Sequence, residues 1–94
     1  MITIEVIQKH MDRSRGHHDS RSISFNPLAL ATCDALDKPE GSVRVATDGI
    51  ELIGMEKVPL PDNASSELQK WNLDLAMAPF TFEIEKPKEK SEPS

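Results

Sequence analysis

The stretch SVRVATDGIELIG, residues 42–54, predicts a β-hairpin and fixes how the rest of the chain is interpreted. Asp48-Gly49 can adopt the positive φ angles of a type I′ turn, and runs that alternate apolar with polar residues flank it on both sides. The cross-strand pairs predicted for one face are Thr47–Ile50, Val45–Leu52 and Val43–Gly54. The residues predicted for the opposite face are Arg44, Ala46, Glu51 and Ile53.

Before the hairpin, Asn26-Pro27 predicts the start of a helix. An Asn side chain accepts hydrogen bonds from the free amides of a first turn, and Pro at the first helical position gives up no helical bond. The residues predicted to face inward are Leu28, Ala31, Ala35 and Leu36. Pro39 is expected to end the helix, because the residue before a proline disfavours helical dihedrals. Cys33 lies within this helix as an expected buried thiol.

After the hairpin, Asp62 or Asn63 is predicted to cap a second helix over about residues 64–77. Its predicted inward stripe is Ala64, Leu68, Trp71 and Leu75, at spacings of three and four. Leu73 and Met77 fall outside that stripe and predict an apolar patch on the solvent side. Such a patch often marks contact with another chain. Coverage by the C-terminal tail or by residues 9–26, or a rotated helix phase, is the alternative.

The two ends of the chain alternate strictly between apolar and polar residues. ITIEVI, residues 2–7, and FTFEIE, residues 80–85, both predict strands. A helix over residues 3–16, with Ile4, Ile7 and Met11 inward, competes with the first strand. DRSRGHHDSRS, residues 12–22, has no apolar residue and predicts a mobile loop. KPKEKSEPS, residues 86–94, predicts a disordered tail for the same reason.

The predicted order is strand, helix, strand, strand, helix, strand. This order matches the ferredoxin-like βαββαβ arrangement, an α+β fold with a four-stranded antiparallel sheet and two helices on one face. Residues 1–85 are therefore predicted to form a single domain. The predicted open face of this sheet carries four glutamates and no aromatic residue. That composition disfavours nucleic-acid binding through the sheet, where RNA-binding domains of similar topology stack bases on aromatic side chains.

Composition narrows the function classes. The chain has 94 residues, 11 basic and 16 acidic side chains, a net charge of −5 and one cysteine. A deep substrate cavity is not expected in so small a core. No run of apolar residues reaches the length of a membrane span, and no secretory signal is recognisable, so a cytoplasmic protein is expected. One cysteine can form neither an internal disulfide nor a cysteine-based zinc cage.

No motif of catalysis is present. Cys33 is followed by Asp34, whose negative charge opposes thiolate formation. A nucleophile elbow, a Walker loop and a dinucleotide-binding glycine loop are all missing from the sequence. His17, His18 and Asp19, with His10 nearby, form the only candidate metal cluster in the sequence, and adjacent histidines in a loop seldom bind one ion together. We therefore expect no enzyme activity, no cofactor and no metal.

The segment of residues 9–21 is basic in an otherwise acidic chain. Its cations, Lys9, Arg13, Arg15 and Arg21, outnumber its two aspartates. Together with the Leu73–Met77 patch, this loop is predicted to contact a partner protein through Arg13, Arg15, His17 and His18. Association of residues 9–21 with nucleic acid is the alternative. Four cations interrupted by aspartates and without aromatic residues are a weak phosphate-binding pattern, so direct binding of nucleic acid is not favoured.

In size, acidity, absence of a catalytic signature and charged tail, the chain resembles the short early accessory proteins of temperate bacteriophages. The opening MITIEVIQKH contributes to this resemblance. Proteins of that kind include some that block or redirect host nucleases. The resemblance implies a non-enzymatic regulator or inhibitor whose partner is a host nuclease or another DNA-processing complex, and it assigns no functional residue.

Overall fold

The computed structural model describes residues 1–16, 23–73 and 75–88 of the chain. These residues form a small α+β fold, as predicted. Its elements in chain order are β1 (Ile2–Val6), α1 (Gln8–Gly16), α2 (Pro27–Leu36), β2 (Val43–Ala46), β3 (Gly49–Leu52), α3 (Asp62–Asn72) and β4 (Phe80–Ile84). The buried core draws on both sheets and on all of the helices, with α2 packed against β1, β2 and α1.

The sheet arrangement differs from the predicted four-stranded, ferredoxin-like sheet. In the described residues, β1 pairs only with β4 and β2 only with β3, both antiparallel. The segment of residues 55–58 lies between the two pairs. Val58 forms an antiparallel bridge with Ile50 of β3, and the Glu56 amide donates to the Lys88 carbonyl beyond β4 at 2.7 Å. Since this segment occupies the outer edge of β3, no strand of the other pair can join there.

The predicted hairpin is confirmed, but its turn lies one residue earlier. Ala46 pairs with Gly49, Val45 with Ile50 and Val43 with Leu52, so the turn residues are Thr47 and Asp48. Neither turn residue has a positive φ, and the turn is therefore not type I′. Each partner is shifted by two residues, an even number, which leaves the same four apolar side chains on the buried face.

Gly49 is required for close packing rather than for the turn. A Cβ atom at Gly49 would lie 2.8 Å from the Val58 carbonyl oxygen and 2.8 Å from Cε of Lys57. The backbone of the returning segment thus occupies the space that any side chain would need. An Asp-Gly pair is also typical of a type I′ turn, and for this reason the sequence pattern predicted that the glycine lies inside the turn.

Residues 2–16 form a strand followed by a helix, which settles the two interpretations left open by the sequence. Residues 12–16 belong to α1 and not to the predicted loop, while residues 17–22 lie outside the described residues. The buried side of α1 is made by His10, Met11 and Ser14. The Ser14 hydroxyl donates to the Phe25 carbonyl at 2.7 Å. With a single apolar residue on that side, α1 has no hydrophobic stripe that periodicity could detect.

The start of α2 is confirmed in detail. The Asn26 side-chain oxygen accepts from the Ala29 amide at 2.8 Å, and Pro27 takes the first helical position. The Asn26 side-chain nitrogen donates to the Val45 carbonyl of β2 at 2.9 Å, a buried bond. The helix ends at Leu36 and is capped by Asp37, which adopts a left-handed conformation with φ of 54°. One side chain therefore caps a helix and fastens it to the hairpin.

The second predicted helix, α3, starts and ends earlier than expected. Pro61 stands at its N-terminus and provides no side-chain cap. Instead of capping, Asn63 donates to the Thr81 carbonyl at 3.2 Å. The helix ends at Asn72 because the amides of Leu73 and Leu75 turn back onto the carbonyl of Lys70, at 3.2 and 2.8 Å. Of the predicted tail, residues 86–88 form no helix or strand, and residues 89–94 lie outside the described residues.

Candidate functional site

Two leucines that follow α3 are exposed to solvent. The side chains of Leu73 and Leu75 are 70% and 55% accessible. Their amides donate to carbonyls in the last turn of α3. Single exposed apolar side chains are common on protein surfaces, but several that are close together can mark a contact surface. Leu73 is therefore exposed as predicted, whereas Leu75, predicted to face inward, is not buried.

The assignment of Met77 to this surface was wrong. Its side chain is only 6% accessible and belongs to the hydrophobic core. The reason is that α3 stops at Asn72, so the spacing of four that joined Leu73 to Met77 on a continuous helix does not apply. Beyond the helix the chain turns Met77 inward and leaves Leu75 outside. The apolar pair on the surface is thus Leu73 and Leu75.

Arg15 brings the basic segment to the same end of α3. Its guanidinium lies over the Trp71 ring, 5.1 Å from the ring centroid, and its Nη1 atom is 3.5 Å from Asp12 Oδ1. A cation over a Trp face is a favourable contact that also orients the guanidinium. We call Arg15, Trp71, Leu73 and Leu75 the leucine surface. The platform role of Trp71 was missed because the sequence identified it only as a core residue.

Arg13 faces a different region. It makes two hydrogen bonds to the Glu40 carboxylate, one of them from Nε at 2.7 Å. Hydrogen bonding and charge attraction from Glu40 raise the pKa of Arg13 above its usual value. The pair lines a cleft of about 290 Å³ between α1 and α2, together with Lys9, His10, Leu30 and Asp34. The predicted contact residues Arg13 and Arg15 are therefore not brought together, and His17 and His18 lie outside the described residues.

His10 lines this cleft, and both of its ring nitrogens have hydrogen-bond partners. Its Nδ1 accepts from the Ile7 amide at 3.1 Å, and its Nε2 lies 2.7 Å from Asp34 Oδ2. An amide can only donate, so the ring proton belongs on Nε2, which donates to Asp34. A His–Asp pair can serve as a proton shuttle only when one ring nitrogen is free to meet a substrate. Here the pair fastens the start of α1 to α2.

Acid is expected to weaken this fastening through Asp34. The hydrogen bond from His10 lowers the pKa of Asp34, with further attraction from Lys9. A lowered pKa stabilises the fold above about pH 4 and loses that contribution as the pH falls through the folded-state value. We expect Asp34→Asn to be less stable than the native chain near neutral pH, and the two urea-unfolding curves to converge in acid. Stabilities that differ by a constant amount down to about pH 2 would contradict this origin.

The cations of the basic segment that the structure describes all have carboxylate neighbours. Lys9 lies 3.5 Å from Asp34, Arg13 binds Glu40, and Arg15 lies near Asp12. Phosphate binding through these residues would have to compete with contacts that already exist. This arrangement weakens the alternative of nucleic-acid association.

Other chemistry is sparse in the described part of the chain. Residues 1–16, 23–73 and 75–88 contain no group of three or more His, Cys, Asp or Glu side chains that could hold a metal ion. Cys33 is buried, as predicted, and its Sγ donates to the Pro39 carbonyl at 3.4 Å. Burial raises the pKa of this thiol, and the negative charge of Asp34 raises it further. In the same residues, no helix has the length and apolar character needed to cross a membrane.

Comparison with protein-family models, with curated proteins and with solved structures finds no match.

Proposed function

We propose that this chain is a non-enzymatic regulator that binds another protein through the leucine surface. The observation that carries the proposal is the exposure of Leu73 and Leu75, whose amides are bonded to the last turn of α3. Arg is enriched among the residues that supply most of the binding energy at protein interfaces, and burial of exposed apolar side chains adds to it. The leucine surface combines Arg15, in contact with the largely buried Trp71, with two exposed leucines that follow the same helix. An incoming protein would bury the two leucines and find Arg15 already oriented by Trp71.

The partner that we propose is a host nuclease or another DNA-processing complex, in the cytoplasm. The support for this class is the resemblance to phage accessory proteins, together with an acidic body that favours basic surfaces at long range. Enzymes that act on DNA carry such basic surfaces, because their substrate is negatively charged. Binding of this chain over such a surface would inhibit or redirect the enzyme without any chemistry by the chain itself.

Replacing both Leu73 and Leu75 by Ser tests this proposal. Both side chains are largely exposed, so the double variant should change the free energy of unfolding by less than about 1 kcal/mol. We expect it to recover at least about tenfold less of the partner in affinity capture from the native cell, a loss of about 1.4 kcal/mol of binding energy. Quantitative mass spectrometry of the captured proteins gives the measurement.

Ile53→Ser is the matched control, because Ile53 is 72% accessible and lies after β3, at the end of the hairpin. This variant should capture the same proteins as the native chain. If the double leucine variant recovered as much of the partner as the native chain does, the leucine surface could not be the binding site. Equal losses with both variants would show that the capture reports general hydrophobicity.

A further inference from the structure

Three of the four strands have their outer edges covered by other parts of the chain. At β2, the Val45 amide donates to the Ile23 carbonyl at 2.8 Å. At β3, Val58 exchanges two backbone hydrogen bonds with Ile50, at 2.7 and 2.8 Å. At β4, the Asn63 side chain donates to the Thr81 carbonyl at 3.2 Å, and beyond the strand the Glu56 amide donates to the Lys88 carbonyl at 2.7 Å. Covering an edge prevents unintended pairing with other chains.

The register of β1 with β4 shows which backbone groups of β1 point outward. The Thr81 carbonyl accepts from Asn63 on the far side of β4, and it therefore points away from β1. In an antiparallel pair both backbone groups of a residue point the same way, and opposite residues alternate between bonded and non-bonded pairs. Thr81 is opposite Glu5, and Glu83 is opposite Thr3. The amides and carbonyls of Thr3 and Glu5 thus face the outer edge of β1.

The outward backbone groups of this edge have hydrogen-bond partners at one end, while α2 packs against the same strand. Ile7 continues the outward series, and its amide and carbonyl are bonded to His10. Thr3 and Glu5 are both exposed, and among the described residues no backbone hydrogen bond reaches their outward groups. Two donors and two acceptors are therefore presented at the spacing of a β-ladder. An extended segment can add to such an edge as a further strand.

The negative charge beside the β1 edge indicates which side chains an added segment would carry. Glu5, Glu83 and Glu85 are exposed on the outer side of the β1–β4 sheet. Neither strand contains Lys or Arg, and within the described part of the chain none of the three glutamates forms an ion pair. A residue directly opposite Glu5 on an added strand would lie about 5 Å away, where opposite charges attract.

We propose that the outer edge of β1 binds an extended segment of a partner protein with Lys or Arg at alternate positions. The cationic side chains lie on the glutamate side, and the intervening positions hold β-branched or other apolar residues beside half-buried Ile2. This inference rests on the proposed protein-binding function and adds a second contact, separate from the leucine surface. It also names the chemistry of the partner segment.

A synthetic peptide that alternates lysine and valine tests the edge directly, with a glutamate–valine peptide of equal length as its counterpart. We expect the lysine peptide to slow hydrogen exchange of the Thr3 and Glu5 amides by at least about tenfold, as measured by NMR. The glutamate peptide should leave both rates unchanged. Thr3→Pro removes one outward donor, at an edge position where Pro is tolerated, and should weaken binding by at least about fivefold.

Thr81→Pro is the matched control, because it removes an outward donor from the covered edge of β4 and should bind the peptide normally. Unchanged exchange at Thr3 and Glu5 with saturating lysine peptide would overturn the proposal. Protection that rises with protein concentration in the absence of peptide would overturn it in favour of a second copy of the chain. Hydrogen exchange at Thr3 and Glu5 is measured independently of partner capture through Leu73 and Leu75. The edge proposal can therefore fail while the leucine surface still captures its partner, and the leucine surface can fail while the edge still binds the peptide.

Discussion

Replacement of Asn26 by Ala is expected to lower the free energy of unfolding by about 2–4 kcal/mol. Two effects add. The Ala29 amide loses its cap, which costs about 1 kcal/mol, and the buried Val45 carbonyl loses its donor, which costs about 1–3 kcal/mol more. Native stabilities of single domains lie at about 5–15 kcal/mol, so this substitution removes a large share. Urea unfolding followed by circular dichroism gives the measurement.

Asn26→Ser separates the two effects. A serine hydroxyl can still cap the helix, but it is too short to keep the bond to β2 as well. We expect this variant to lie between the native chain and Asn26→Ala in unfolding free energy. Stability equal to the native chain would mean that the bond to the Val45 carbonyl contributes nothing, and that α2 and the hairpin are joined by apolar packing alone.

Replacement of Met77 by Ala is expected to cost about 2–5 kcal/mol, the range for shortening a buried methionine. The side chain is a member of the core and sits on a segment without helix or strand, where few backbone hydrogen bonds hold the chain in place. Its packing is therefore expected to anchor the connection between α3 and β4. Thermal and urea unfolding of the variant measure the loss.

The control is Leu73→Ala, four residues away in sequence and 70% accessible. This change should alter the unfolding free energy by less than about 0.5 kcal/mol. The contrast tests whether Met77 is buried, because a helix that continued through residue 77 would place both side chains on one solvent-facing patch and give similar, small losses. A small loss for Met77→Ala would thus support the original sequence interpretation.

Elements with a strong local pattern could be predicted from the sequence. Strict alternation identified β1 and β4, and their buried faces are as expected. Asn26-Pro27 identified the start of α2, since capping depends only on neighbouring residues. The interior of α2 departs from a simple stripe, because Leu28 to Cys33 are all buried while Ala35 is exposed. That pattern follows from packing on both sides, which periodicity does not report.

The remaining differences come from contacts between distant residues. The hairpin turn lies one residue earlier than predicted, and Gly49 instead packs against the Val58 carbonyl. Nothing within residues 42–54 indicates this contact. The predicted single sheet is divided because Val58 bridges Ile50 at the outer edge of β3. α1 was predicted only as part of a competing helix over residues 3–16, because two of its three buried residues, His10 and Ser14, are polar and bond to Asp34 and Phe25.

Part of the candidate site could also be predicted. Leu73 was correctly identified as an exposed apolar residue, whereas the position of Arg15 over the Trp71 ring was not predicted. Leu75 and Met77 were exchanged, because their positions depend on where α3 ends. Helix ends without a glycine or a strong cap carry little sequence signal, and here the end is set by amides that return to the Lys70 carbonyl.

The burial of Cys33 gives this molecule a native reporter of its own opening. The chain has one thiol, sealed inside α2, and only the thiolate of an accessible cysteine reacts with alkylating reagents. Labelling of the folded protein therefore requires a local opening that exposes this thiol, at α2 or at the segment that carries Pro39. The labelling rate therefore reports how readily this opening occurs, in the free chain and in any complex. The measurement needs no added dye or residue.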